Sequence, residues 1–159
     1  MTRSTRCTVA TLAATAALVL AAGAAQAQGR YAVSADGQEV TDTTTRLVWR
    51  RCAEGMRLDG KACVGKATRY TYAGARKAGS GGWRVPTRAE LVALVDFGRK
   101  KKPRIDTDAF PGTPSAPFWA SRPGSDDNLN AWLVSFSNGQ VRANLGQAKF
   151  PLRLVRPAG

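Results

Sequence analysis

Trp83-Arg84-Val85-Pro86-Thr87-Arg88-Ala89-Glu90-Leu91 is the stretch that decides the fold. The chain runs extended into Pro86, because the residue before a proline is driven out of the helical region. Thr87 and Glu90 then stand at capping-box spacing, so each side chain can satisfy a backbone N–H that a first helical turn leaves unpaired. Leu91, Val92, Leu94 and Val95 supply an apolar face at helical spacing, and the spacing predicts a helix that stops near Phe97-Gly98. Just upstream, Thr71 can cap a second short helix, Tyr72 to Ala78, which Gly79-Ser80-Gly81-Gly82 ends.

Outward from these helices the text changes period. From Tyr31 to Arg50 an Asp36-Gly37 turn signal precedes alternation through Val40, a β-branched stretch Thr41 to Thr45, and Leu47-Val48-Trp49, which reads as a hairpin or two short strands. Cys52 to Cys63 encloses a turn-rich excursion with Asp59-Gly60, expected to be a closed surface loop. On the far side, Arg99 to Pro117 is a long ordered loop punctuated by Pro103, Pro111, Pro114 and Pro117. Phe118 to Ser121 resumes a strand, and Arg122 to Asn130 is a polar loop. Trp132, Val134 and Phe136 alternate on one face before an Asn138-Gly139 turn and a return strand Val141 to Leu145. Leu152 to Arg156 reads as a last strand. Two early helices followed by antiparallel strands and long loops describe a small α+β domain.

The first 27 residues carry a different signature. Arg3 and Arg6 precede an Ala-rich apolar run from about Cys7 to Ala25, and Ala25-Gln26-Ala27 supplies the small-x-small pattern of a signal peptidase site. A membrane anchor is the competing reading, since the run approaches the roughly 20 apolar residues that span a bilayer. Alanine contributes little transfer energy, however, and a cleavage site stands where an anchor would continue. Cys7 stands at the start of the apolar run and not after it, so a lipoprotein is not indicated. Residues 1–27 are therefore expected to be a cleaved signal peptide and residues 28–159 a single domain, periplasmic or extracellular.

Removing Arg3 and Arg6 lowers the formal charge from +13 to +11, which implies attraction to polyanions and says nothing of fold. Cys52 and Cys63 remain as an even pair and are expected to be bonded in an oxidising compartment. The competing metal reading fails on ligand count, because no histidine and no further cysteine completes a tetrahedral zinc site. The same absence of histidine removes Ser-His-Asp triads, Cys-His pairs and imidazole general bases. Carboxylate or lysine chemistry stays open, but nothing singles out a pair, and a non-enzymatic role is expected.

Taken together, Val40-Thr41-Asp42, Thr45-Arg46-Leu47-Val48-Trp49, Arg51-Cys52, Gly60-Lys61-Ala62-Cys63 and Trp83-Arg84-Val85-Pro86-Thr87 form an ordered series. It continues through Glu90-Leu91, Leu94-Val95-Asp96, Ile105-Asp106-Thr107 and Phe110-Pro111-Gly112-Thr113-Pro114-Ser115. Phe118-Trp119-Ala120-Ser121, Ala131 to Phe136 and Arg153-Leu154-Val155-Arg156 complete it. In order and spacing this resembles the Lcl C-terminal domain family of exported bacterial domains over nearly all of residues 28–159. Family members often read Arg-Cys-Val-Arg near the end; this chain has Leu154, so any bond made there is absent. The family is similar to the C-type-lectin-like and formylglycine-generating folds, and the resemblance implies a compact α+β lectin-like domain without itself implying an activity. Formylglycine chemistry uses cysteines in the C-terminal half, and none follows Cys63. The namesake domain is associated with adhesion to sulfated glycosaminoglycans and trimerises behind a collagen-like stalk, but no Gly-x-y repeat occurs in this chain.

Three sets of residues are candidates for binding. Arg99, Lys100, Lys101, Lys102 and Arg104 form a basic cluster suited to an anionic glycan or another envelope polyanion, or else a solvated loop of a basic protein. Asp126, Asp127, Asn128 and Asn130 offer oxygen ligands for calcium, against the plainer reading of an Asx-rich turn; no metal or other cofactor is favoured. Trp49, Trp83 and Trp132 lie in apolar strand contexts and are expected in the core, while Trp119, between a proline-rich and a polar loop, is open to two readings, core ring or ligand platform. The function expected is thus a binding module for anionic glycans, with an envelope protein as the alternative partner.

Overall fold

The capping box forms as its spacing predicts. Thr87 Oγ1 accepts the Glu90 N–H at 3.2 Å, and the Glu90 carboxylate accepts the Thr87 N–H at 2.7 Å. The helix it opens, α2 (Arg88–Val92), is shorter than the apolar spacing suggested. Leu94 and Val95 are buried, but on tightened turns in which their N–H groups reach back three residues, and the Asp96 N–H leaves to bond the Arg104 carbonyl. Pairing with the long loop therefore ends the helix before Phe97. α1 (Tyr72–Ala78) has the expected bounds, with Thr71 Oγ1 accepting the Gly74 N–H.

The computed structural model describes residues 29–121 and 131–159. The leader assigned to residues 1–27 and the calcium candidates Asp126, Asp127, Asn128 and Asn130 lie outside the described residues. Among those described, no helix is long and apolar enough to cross a membrane.

Three strands, not two, precede the cysteines: β1 (Tyr31–Val33), β2 (Glu39–Asp42) and β3 (Leu47–Arg50). The β-branched run Thr43 to Thr45 is a turn instead of a strand, because Asp42 organises it. Its buried carboxylate accepts the Thr44 N–H and pairs with Arg30 at 2.8 Å, its carbonyl accepts the Arg46 N–H, and Arg46 takes a φ of 55°. β11 (Val155–Pro157) completes an antiparallel sheet in the order β1-β2-β3-β11. Cys52 and Cys63 are bonded, with Cα atoms 5.4 Å apart. The segment between them is more regular than a loop: β4 (Arg57–Asp59) and β5 (Ala62–Val64) pair as a hairpin around Gly60-Lys61.

β7 (Pro117–Ala120), β8 (Ala131–Ser135) and β9 (Val141–Asn144) form the second main sheet, with Gly139 at a φ of 79° in the turn as the Asn-Gly signal requires. This sheet has two buried faces where alternation suggested one. Phe118, Ala120, Val134 and Phe136 pack into a core with Trp49, Leu91 and Phe110. Trp119, Ala131 and Leu133, of opposite parity, pack into a second core with Tyr72, Ala75 and Leu152. Two-residue strands β6 (Arg69–Tyr70) and β10 (Phe150–Pro151) pair beside the second core. The result is a mainly antiparallel α+β domain with two short helices.

Candidate functional site

The long loop is built into the core. Ile105 and Phe110 are fully buried, and the loop backbone is held from outside its own sequence. Arg51 donates from Nε to the Ala109 carbonyl at 3.2 Å and from Nη2 to the Asp108 carbonyl at 3.0 Å. Arg153, fully buried, donates from Nη1 to the carbonyls of Arg50 and Arg51 and from Nη2 to Thr113 Oγ1 at 2.8 Å, with its guanidinium over the Phe110 ring. Burial pulls the Arg153 guanidinium down to about 9, against the opposing charge of Glu54. Gly112, at a φ of 64°, passes so close to the cystine that a Cβ would lie 2.4 Å from the Cys63 carbonyl oxygen.

On this support the five-residue basic cluster divides in two. Arg99 and Arg104 are half-buried with their Nε atoms sequestered, and Arg99 donates from Nη2 to Thr107 Oγ1 at 3.3 Å. Lys100, Lys101 and Lys102 are exposed, with no ion-pair partner among the described residues. The cluster is thus two half-buried arginines and three projecting lysines.

Trp119 is core and not a ligand platform. It is fully buried, its Nε1 donates to the Tyr70 carbonyl at 2.7 Å, and its ring meets those of Tyr72 and Phe150 at 5.4 and 5.2 Å. Trp49 is buried as expected, whereas Trp83 and Trp132 are only half-buried and carry arginines. The guanidinium groups of Arg50 and Arg156 lie 4.2 and 5.1 Å from the Trp83 ring centroid, and Arg88 lies 4.7 Å from that of Trp132. Glu39 serves both of the first pair, at 2.8 Å from Arg156 and 3.9 Å from Arg50. Sequence reasoning missed this ladder; the signal was the Glu39–Arg50 register across β2 and β3.

A cleft of about 540 Å³ opens between β1, the Leu94–Phe97 segment and the turn at Asp106–Ala109. Burial, outweighing the lowering effect of Arg30, pushes the Tyr31 phenol in its wall up to about 12, and the carboxylates of Asp42, Asp106 and Asp96 act in the same direction. Nothing in the sequence singled out this site, because its walls come from three separated segments. Among the described residues no group of three or more His, Cys, Asp or Glu could hold a metal ion.

No curated protein and no solved structure matches the chain. The family model described as the Lcl C-terminal domain matches residues 38–156, well over half of the sequence, and so takes in both main sheets except β1 and the last residue of β11, both helices, the cystine hairpin and the basic loop; the chain belongs to the Lcl C-terminal domain family.

Proposed function

We propose that this protein is an exported, non-catalytic binding module of C-type-lectin-like architecture that captures anionic polymers, sulfated glycans foremost, in an adhesin-like role. One observation carries the reading: three adjacent lysines, uncompensated among the described residues, project from a loop whose backbone is fixed by buried Arg51 and whose flanking arginines are half-buried. Ammonium groups act as point charges, so a run of them recognises charge density and gains affinity by releasing counterions from the polymer. The small-x-small leader pattern and the bonded Cys52–Cys63 pair support export to the periplasm or beyond. The lack of any histidine supports a role without acid–base catalysis.

Titration of residues 28–159 with heparin and with fully desulfated heparin, over a salt series, tests the reading. Heparin should bind and the desulfated polymer should not. Replacing Lys100, Lys101 and Lys102 by Gln should weaken heparin binding at least tenfold near physiological salt and reduce the slope of log K against log salt by about 2 to 3, by analogy with DNA counterion release. Binding that survives desulfation, or a triple variant with the parent's slope, overturns it.

A further inference from the structure

The cleft beside β1 has a property its lining alone does not show. The Arg30 carbonyl accepts the Thr43 N–H, and the Ser34 N–H donates to the Glu39 carbonyl. In an antiparallel ladder such pairing alternates, so residues 30, 32 and 34 turn their backbone groups to β2, and the N–H and C=O of Tyr31 and Val33 point the other way. β1 is the edge of its sheet, and Tyr31 and Val33 both line the cleft. An open strand edge therefore borders a concavity.

The side chains around it are amphipathic. Val33 and Phe97, 45% and 62% exposed, are two of the few large apolar side chains left in solvent among the described residues, and both line the cleft. Asp96, Asp106 and Asp108 line it too. Asp96 and Asp106 use Oδ1 for the N–H groups of their own turns, which leaves each Oδ2 without a partner among the described residues. The cation in the lining, Arg30, is already committed to Asp42 and the Ala93 carbonyl, each at 2.8 Å. In a chain with 24 basic and 11 acidic residues, this concavity has the opposite sign to the molecule.

We propose that the cleft is a docking site for an extended, basic segment of a partner protein, which adds as a strand to the free edge of β1. Such a segment would place apolar side chains against Val33 and Phe97 and lysine or arginine near Asp96, Asp106 and Asp108. Main-chain pairing supplies the register, and alternate side chains supply the selection. The cleft borders the lysine loop but includes none of Lys100, Lys101 and Lys102 in its lining, and the proposal does not rest on polyanion binding.

The probe is a fluorescently labelled eight-residue peptide of alternating Lys and Val, followed by anisotropy against residues 28–159. Four comparisons decide the matter: the same peptide N-methylated at alternate residues, a Glu-Val peptide, and two protein variants, Val33→Pro and Asp96→Asn/Asp106→Asn/Asp108→Asn. Val33→Pro deletes an outward N–H that no ladder bond uses, and Asn keeps the Oδ1 acceptor, so both variants should melt near the parent. The Lys-Val peptide should bind; N-methylation and the triple Asn variant should each weaken it at least tenfold, Val33→Pro at least fivefold, and the Glu-Val peptide should not bind. Equal binding of methylated and parent peptides, binding of the Glu-Val peptide, or no Lys-Val binding at millimolar concentration overturns the proposal. So does concentration-dependent dimerisation that the triple Asn variant abolishes, since a second copy would then be the occupant.

Discussion

Trp119→Ala should remove a large part of the stability of this domain. The side chain is fully buried between Tyr72 and Phe150, so truncation leaves a cavity that β7, flanked by β8 and carrying Phe118 and Ala120 into the opposite core, has little freedom to fill. Trp→Ala at such a site costs about 3–5 kcal/mol. The Tyr70 carbonyl also loses the indole N–H that now meets it at 2.7 Å, and a buried acceptor left alone costs about 1–3 kcal/mol, part of which the cavity figure already includes. Against a total stability of about 5–15 kcal/mol, a loss of about 4–6 removes a quarter or more, and leaves the variant marginal or unfolded at the lower end of that range. Trp119→Phe separates the two contributions: it keeps a ring for Tyr72 and Phe150 and loses the donor, so it should cost about 1–3 kcal/mol. The assay is urea denaturation of the oxidised domain followed by circular dichroism, with the slope m checked against the parent. Trp83→Ala, at a half-buried ring, should cost less than Trp119→Ala. A Trp119→Ala midpoint within about 1 kcal/mol of the parent at unchanged m, well below the cavity range, would refute the core assignment and return Trp119 to the surface.

Acid should expose the Asp42 turn. Burial opposes ionisation of Asp42, but the Arg30 hydrogen bond and the Thr44 N–H outweigh it and hold the carboxyl below its ordinary value, so its contribution is full above about pH 4 and is lost as pH falls through the folded value. Asp42→Asn should therefore be less stable than the parent at pH 7 and show a flatter acid limb; parallel stability curves would exclude this role. Glu54 has the opposite sign, since burial raises its carboxyl despite Arg50 and Arg153; Glu54→Gln should gain stability relative to the parent as pH rises from the ordinary carboxylate value through that raised value and keep the gain above it, and a neutral-pH midpoint below the parent's would contradict it. Removing the Cys52–Cys63 bond, eleven residues apart, by a double Ala substitution should cost about 3 kcal/mol on the chain-entropy account, and the parent in dithiothreitol should lose a similar amount. A midpoint insensitive to both would show that the hairpin holds itself.

What could be read from the sequence was what neighbours in sequence decide. Thr87 and Glu90, Thr71, Asn138-Gly139 and the cysteine pair act within a few residues or by simple count, and each appears where expected. The Thr43 to Thr45 turn escaped because Asp42, whose carboxylate and carbonyl hold it, is fixed in place by Arg30 from the other side of a strand pair. Trp119 escaped because the loops on either side of it in sequence say nothing of the second core beneath it. The arginines escaped for a deeper reason: sequence treats them as surface charge, whereas a long loop without ladder partners still needs donors for its carbonyls. Arg51 supplies two of those donors, to Asp108 and Ala109, and Arg153 braces the loop at the Thr113 hydroxyl while donating to the carbonyls of Arg50 and Arg51, at the cost of burying two cations that no carboxylate pairs among the described residues. Arg50 and Arg156 lie over Trp83 and share Glu39. These charges all count toward the formal +11, yet none of them is free for a ligand in the way Lys100, Lys101 and Lys102 are. On the proposed reading a polymer segment at the loop would meet about three exposed charges, and the salt dependence of its binding should report about that number instead of the net charge of the chain.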